Sequence, residues 1–371
     1  MSKSPKKDNI FVRIAKYLFP WKGDKTSEVI RKIVFLTAAC VLVVTVSIIA
    51  GDALQRMKTN SRDDNQRNEF HSVAVNDDES NASRIDTAVS EPNASETSEP
   101  EEKPLKIEYP PRKVRDKFKT LLEQNPETIG WLTIQGTSES YSWIDYVVMQ
   151  TDDNDKYLSQ DFYGNKVKSG ALFVDYHEKI TPTSEPANIV VYGHNMKSGE
   201  YFGKLPYYFN WGFSNSDHND ISFYKTHPTV EFSTLYKTST YKIFAAMMLN
   251  TEEDAGDVFP YHTKHNFDSK ADFNQYVAEI LDRSTFYNPD VNVQYGDQLL
   301  TLSTCMFGYG DTELRFVVFA RETREGEDPA VDVEKAYANP NPKFYDMYYD
   351  MYDYTWKGRK WDKNLLVGYE D

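Results

Sequence analysis

Cysteine is nearly absent from this chain, with only Cys40 and Cys305 in 371 residues. Cys40 sits in an apolar stretch near the N-terminus, so an exported Cys305 has no disulfide partner in its own domain. A disulfide-stapled scaffold is excluded, and a lone exported thiol needs another reason to exist. Basic excess is also lacking: 42 Lys and Arg stand against 57 Asp and Glu, a net charge of −15. That balance excludes nucleic acid as a partner. Long apolar runs are missing except for one, Ile33 to Ala50, which carries no charge across 18 positions. This approaches the roughly 20 residues that span a bilayer as a helix. No internal repeat is visible.

The apolar run predicts a transmembrane helix over 33–51. A cleaved signal peptide fits less well, because Gly51-Asp-Ala-Leu is a poor cleavage site. Residues 1–32 hold nine Lys and Arg against three acidic residues, a net of +6, which leaves −21 on the rest of the chain. The positive-inside rule then makes 1–32 a cytoplasmic basic segment and puts everything after the span outside. Within it, Ile10, Phe11, Ile14, Leu18 and Trp21 form either an apolar stripe lying on the inner leaflet or part of an unstructured flank. Residues 52–107 are poor in large apolar side chains and rich in Asp, Glu, Ser, Asn and Thr. They read as an acidic disordered stalk.

Aromatic and apolar residues return at 108–325, enough for one sizeable core. Val114, Phe118, Leu121 and Leu122 fall at helical spacing before Asn125-Pro126, so a helix leads the domain. Short β-branched and aromatic runs follow with turn residues between them, including Trp131-Leu-Thr-Ile, Ala171-Leu-Phe-Val-Asp and Asn188-Ile-Val-Val-Tyr. The fold class is mostly β, an antiparallel sheet or barrel. One helix interrupts the strands, starting at Ser269 with Asp272 three residues on and burying Phe273, Tyr276, Val277, Ile280 and Leu281. The C-terminal extension, 326–371, is dense in Tyr and Trp. There Phe344, Met347, Tyr348 and Met351 suggest an amphipathic turn or an aromatic patch.

Cys305 ends the run Gln298-Leu-Leu-Thr-Leu-Ser-Thr-Cys305, and Arg315 opens the run Arg315-Phe-Val-Val-Phe-Ala-Arg321. Strand alternation puts Thr301, Ser303 and Cys305 on one face, and Arg315, Val317 and Phe319 on one face of the next strand. If the runs pair as a hairpin, thiol and guanidinium share one edge of the sheet. A thiolate is the attacking form, and a neighbouring cation or histidine base favours it. His194 is the base candidate, because it follows Ile189-Val-Val-Tyr192 and Gly193, which permits a sharp turn at a strand end.

With these residues the sequence resembles the sortases, and more closely class B, the membrane-anchored cysteine transpeptidases of Gram-positive bacteria. Thr301-Leu-Ser-Thr-Cys305 looks like the family's active-site strand, Arg315 stands ten positions on, and Tyr192-Gly-His194 looks like its histidine motif. Gly130-Trp-Leu-Thr-Ile, Asp153-Asn154 with Tyr157-Leu158, Gly170 to Asp175, and Arg283-Ser284 extend the likeness from about Lys113 to Arg321. The resemblance implies a sortase β-barrel with an N-terminal helical segment and a helix inserted before the active-site strand. It implies Cys305 as nucleophile, His194 as general acid and base, and Arg315 as donor to the oxyanion or the substrate. Ser303, Thr304, Asn154 and Leu158 are the implied substrate-binding residues. The implied partners are secreted proteins bearing a C-terminal sorting pentapeptide, and an amine of the peptidoglycan cross-bridge or a pilin lysine as acceptor. Met306 and Phe307 follow the cysteine where class B enzymes can carry an acidic residue. A Cys-His-Arg set is therefore expected, with no carboxylate in that loop before Asp311 or Glu313.

The competing readings are a pilin-polymerising sortase, a secreted cysteine peptidase, and a catalytically silent surface-anchored binding module. The papain-like signature is absent around Cys305. No cofactor is expected. His262 and His265 have ligand-like spacing, but neither a cysteine nor an acidic pair completes a site beside them in the sequence, so no metal is expected.

Overall fold

The computed structural model describes residues 9–73, 84, 104–137, 142–209, 220–306, 313–351 and 354–370. They form two compact units, 1–65 and 66–371. In the first, α1 (Ile10–Leu18) starts at Asn9, whose side chain accepts from Phe11 N, and α2 (Thr26–Ser72) follows. Lys32 ties them together by donating to Lys16 O at 2.6 Å and to Asp24 at 2.7 Å. By length and composition α2 is the one helix among the described residues that can cross a membrane.

The stalk expectation needs correction, because α2 continues without a break through Asp52 to Ser72. Extending an existing helix adds one hydrogen bond per residue with no new nucleation cost, and no Gly or Pro lies between Asp52 and Ser72 to stop it. Its last turns belong to the second unit. Phe70 stacks on Trp131 with ring centroids 4.1 Å apart, and His71 Nε2 lies 3.0 Å from Asp145 Oδ1. The expected stalk residues 74–83 and 85–103 lie outside the described residues.

The second unit is built on a closed eight-stranded barrel. Its strands are β1 (Thr128–Gln135), β2 (Ser142–Met149), β3 (Leu172–Val174), β4 (Asn188–Tyr192), β5 (Thr229–Thr234), β6 (Thr238–Asn250), β7 (Leu299–Met306) and β8 (Leu314–Glu322). Around the barrel the order is β7-β8-β6-β5-β1-β2-β3-β4, closed by β4 against β7. The pairs β4–β7 and β2–β3 are parallel and the others antiparallel. Residues facing inward, such as Leu300, Leu302, Phe316 and Val318, fill the barrel. The alternate positions Leu299, Val317, Phe319, Phe244 and Met247 join a second core outside it. Burial on both faces explains why these strands read as nearly continuous apolar runs.

The outer core is covered by α4 (Lys270–Arg283), whose N-cap Ser269 accepts from Asp272 N at 3.1 Å and whose expected apolar face is buried. The leading helix is short, a 3-10 turn at Asp116–Phe118 running into α3 (Lys119–Gln124); Val114 precedes it. The C-terminal segment is no appendage. Tyr337–Ala338 pairs antiparallel with Phe286–Tyr287, and Leu366–Val367 pairs parallel with Val293–Gln294. Phe344, Tyr345 and Tyr348, flanking and within α5 (Asp346–Met351), enter the barrel-side core, while Trp361, Leu365 and Leu366 enter the outer one. Asp282 anchors the segment, accepting from Arg359 Nε at 2.9 Å and from Trp361 Nε1 at 2.8 Å.

Candidate active site

β7 and β8 pair so that Cys305 lies directly opposite Arg315. Both sit on the outer face, since Val317 and Phe319 on the same side belong to the outer core. Cys305 is partly buried. The Arg315 guanidinium is 27% exposed and stands 3.5 Å from Glu313 Oε2, a long contact to an exposed carboxylate that holds it only weakly. Arg315 also donates to Leu314 O at 3.1 Å. Asp311 lies outside the described residues.

His194 reaches this edge through the parallel pairing of β4 with β7. Their register ends at Ser303 opposite Tyr192, and Cys305 and His194 each stand two positions beyond it. Three hydrogen bonds stitch the two strand ends together: Thr304 Oγ1 to Gly193 O at 2.7 Å, Gly193 N to Ser303 O at 3.2 Å, and Asn195 Nδ2 to Cys305 O at 2.9 Å. The loop after His194 folds back on it, with Met196 N and Phe202 N both donating to its carbonyl at 3.1 Å. Tyr201 takes φ of 51° within that loop.

The imidazole Nε2 of His194 lies 2.8 Å from Leu158 O. A carbonyl only accepts, so Nε2 carries the proton and Nδ1 is the basic nitrogen of the neutral ring. The partner is a main-chain carbonyl and not a carboxylate. Gly170 shapes that carbonyl's surroundings. It has φ of +57°, and a Cβ there would fall 2.2 Å from Tyr157 O. Gly193 matters for packing more than for a turn: its φ is not among the positive ones, and an added Cβ would lie 2.4 Å from Leu172 Cδ2 and 2.8 Å from Phe202 Cδ2.

The four residues expected to bind substrate differ in placement. Ser303 is buried and its hydroxyl lies 2.6 Å from Tyr261 Oη, while Thr304 is buried with its hydroxyl given to Gly193 O. Both hydroxyls are thus taken up within the protein, Ser303's on the outer face and Thr304's by the chain just past β4. Asn154 uses both ends of its amide, donating to Asp175 Oδ2 at 3.0 Å and accepting from Tyr176 N at 3.1 Å. Leu158 is 43% exposed and beside His194 through its carbonyl. Leu158 O, Asn195 and Tyr261 are the contributors that sequence reasoning missed. Only Asn195, adjacent to His194, carried a signal in the sequence.

Behind His194 lies a polar block. Asp175 accepts from Tyr192 Oη at 2.9 Å and from Asn154, and His177 Nδ1 lies 2.8 Å from its Oδ1. Burial alone would raise this carboxyl, but the donors from His177, Tyr192 and Asn154 outweigh it and hold it below the ordinary range. Burial pushes Glu178 well above its ordinary value and lowers both His262 and His265.

The sortase domain family matches residues 139–323, a span that contains His194, Cys305 and Arg315. The chain is 32% identical to sortase B of Listeria monocytogenes over 192 residues, covering 52% of this chain and 68% of that protein. It is 29% identical to sortase B of Staphylococcus aureus over 208 residues, covering 56% and 75%. A solved sortase B from B. anthracis superposes with a TM-score of 0.50 at 23% identity, covering 72% of this chain and 96% of that one, which speaks for the fold. The likeness in sequence extends over two thirds or more of both named relatives, so the chain belongs to the sortases, in class B, and is a cysteine transpeptidase by family.

Proposed function

We propose that Cys305, His194 and Arg315 cleave a sorting signal near the C-terminus of secreted proteins and transfer the acyl part to an amine of the cell wall. The observation that carries this reading is the direct pairing of Cys305 with Arg315, with His194 the same two positions past the end of the neighbouring register. The Cys305 thiolate attacks the scissile carbonyl carbon, and Arg315 donates to the oxygen as it gains charge. His194 Nδ1, having taken the proton of the Cys305 thiol, gives it to the leaving amine as the C–N bond breaks, which leaves a thioester. An acceptor amine then attacks the thioester, His194 takes its proton, and the thiolate departs as the new amide forms. The rigid fork of a guanidinium suits Arg315 to a carbonyl oxygen that changes geometry during both steps.

The N-terminal apolar helix would hold the enzyme in the cell membrane as a single-pass protein with its N-terminus cytoplasmic and its barrel outside. The substrate and the wall would then lie on one side. The test is intact-mass spectrometry of the full chain in detergent, incubated with a library of sorting-type pentapeptides. An acyl adduct on Cys305 that is released by an added cross-bridge-type amine is the expected result, with none in Cys305→Ala. An adduct that only hydrolyses would indicate a peptidase, and one released only by a pilin-type lysine peptide would indicate a polymerising enzyme. A Cys305 that alkylating agents modify yet no peptide acylates would reject the assignment.

A further inference from the structure

Asp175, His177 and His265 converge from three places: the residue after β3, the turn that follows it, and the loop before α4. One ligand-type atom from each lies within 4.8 Å of the others. Asp175 Oδ2 is occupied by the Tyr192 hydroxyl at 2.9 Å and the Asn154 amide at 3.0 Å, while Oδ1 accepts from the His177 backbone N at 2.9 Å and faces the histidine rings. There His177 Nδ1 lies 2.8 Å away and His265 Nε2 4.0 Å away.

The far nitrogen of His265, Nδ1, lies 3.0 Å from Glu178 Oε1. The Glu178 side chain is 0% exposed; its Oε1 also accepts from Val190 N at 2.6 Å, and its Oε2 has no hydrogen-bond partner among the described residues. Because Val190 N already donates to Glu178 Oε1, that oxygen is an acceptor and His265 Nδ1 donates to it, so the neutral ring keeps its lone pair on Nε2, facing the lone pairs of Asp175 Oδ1. At 4.0 Å these two atoms make no hydrogen bond. A tetrahedral metal with bonds of roughly 2.0–2.2 Å holds two ligand atoms about 3.3–3.6 Å apart, so a small inward movement of the His265 ring suffices. A carboxylate behind the histidine and paired donors behind the aspartate form the outer shell that fixes ligands around a metal.

We infer that Asp175, His177 and His265 bind one divalent transition-metal ion of the zinc class, with Glu178, Tyr192 and Asn154 orienting the ligands. Two imidazoles and one carboxylate favour such an ion over magnesium or calcium. His177 is 56% exposed at its side chain, so the site opens to solvent on that side and the remaining positions take water. The assignment does not depend on the transpeptidase reading, although Tyr192 stands two residues before His194. Loading would therefore stiffen the strand end that presents the histidine.

The test uses the full chain in detergent with Cys40→Ser and Cys305→Ala, so that no thiol can supply a ligand. After chelator stripping, zinc is titrated against a chromophoric competitor. One zinc per chain is expected. Glu178→Gln should weaken binding by about 10–100-fold, the usual effect of losing an outer-shell partner. His177→Ala and His265→Ala should weaken it further, and His262→Ala should leave it unchanged. His177 is exposed enough for its alanine variant to fold, which far-UV circular dichroism would check. Binding of less than one zinc per chain, or equal affinity in the parent and His177→Ala, would overturn the inference.

Discussion

Gly193→Ala isolates the geometry that carries His194. The new methyl would sit 2.4 Å from Leu172 Cδ2 and 2.8 Å from Phe202 Cδ2, where carbon atoms normally rest about 3.5–4.0 Å apart. Both neighbours are fully buried, so the strain must be shared by moving them or by moving the backbone at 193. Overpacking of this kind costs about 1–3 kcal/mol, which for a domain of this size lowers Tm by roughly 2–12 °C. Backbone movement is transmitted at once. Gly193 is bonded through its N–H to Ser303 and through its carbonyl to Thr304, the two residues before Cys305. A displacement near 1 Å can cost about 100-fold in turnover. Peptide cleavage by Gly193→Ala should therefore fall by about that factor, while circular dichroism shows a folded protein with a modestly lower Tm. Adding Leu172→Ala removes the nearest clashing atom and should recover at least about tenfold of the lost rate. Wild-type turnover and Tm in Gly193→Ala would refute the packing argument outright.

Arg315→Lys keeps the charge and loses the fork, so kcat/KM should drop by about 10²–10³, the cost of one oxyanion donor; normal turnover would make Arg315 a structural residue. Asp282→Ala leaves the buried Trp361 indole N–H without its acceptor, at about 1–3 kcal/mol. The result should be a lower Tm and new proteolytic cuts between 340 and 360, and an unchanged digestion pattern would show that the segment is held elsewhere. Burial alone would raise Glu327, but Arg321, Lys242 and the Arg324 N–H hold it down at about 2 against an ordinary 4.5. Its contribution is complete above about pH 4.5 and is lost as pH falls toward about 2. Glu327→Gln should therefore show a flatter dependence of Tm on pH between 4.5 and 2.5 than the parent, and identical slopes would discount the ion pair.

The strands were legible because their β-branched and aromatic runs are bounded by turn residues, and the Cys305–Arg315 pairing followed from a short hairpin. The parallel contact of β4 with β7 was not legible, since over 100 residues separate them and no local signal encodes it. Yet that contact brings His194 and Cys305 to the same end of two adjacent strands. Leu158 was singled out only as a substrate-binding residue; the contact of its carbonyl with His194 was not legible, because backbone groups carry no residue signature. Composition misled at 52–72, where polarity was read as disorder although nothing in those residues breaks a helix already under way. The aromatic density of 326–371 showed apolar character without direction, because its partners lie on two different cores.

The seating of Trp361 and Leu366 in the outer core has a consequence for synthesis. Chains emerge from the N-terminus, so the apolar helix and the whole barrel are made before the segment that covers α4 exists. Until Leu366 has been made, Asp282 lacks its Trp361 and Arg359 donors, and strand Val293–Gln294 has an open edge. The outer core is therefore completed late, after every strand of the barrel that it covers has been made.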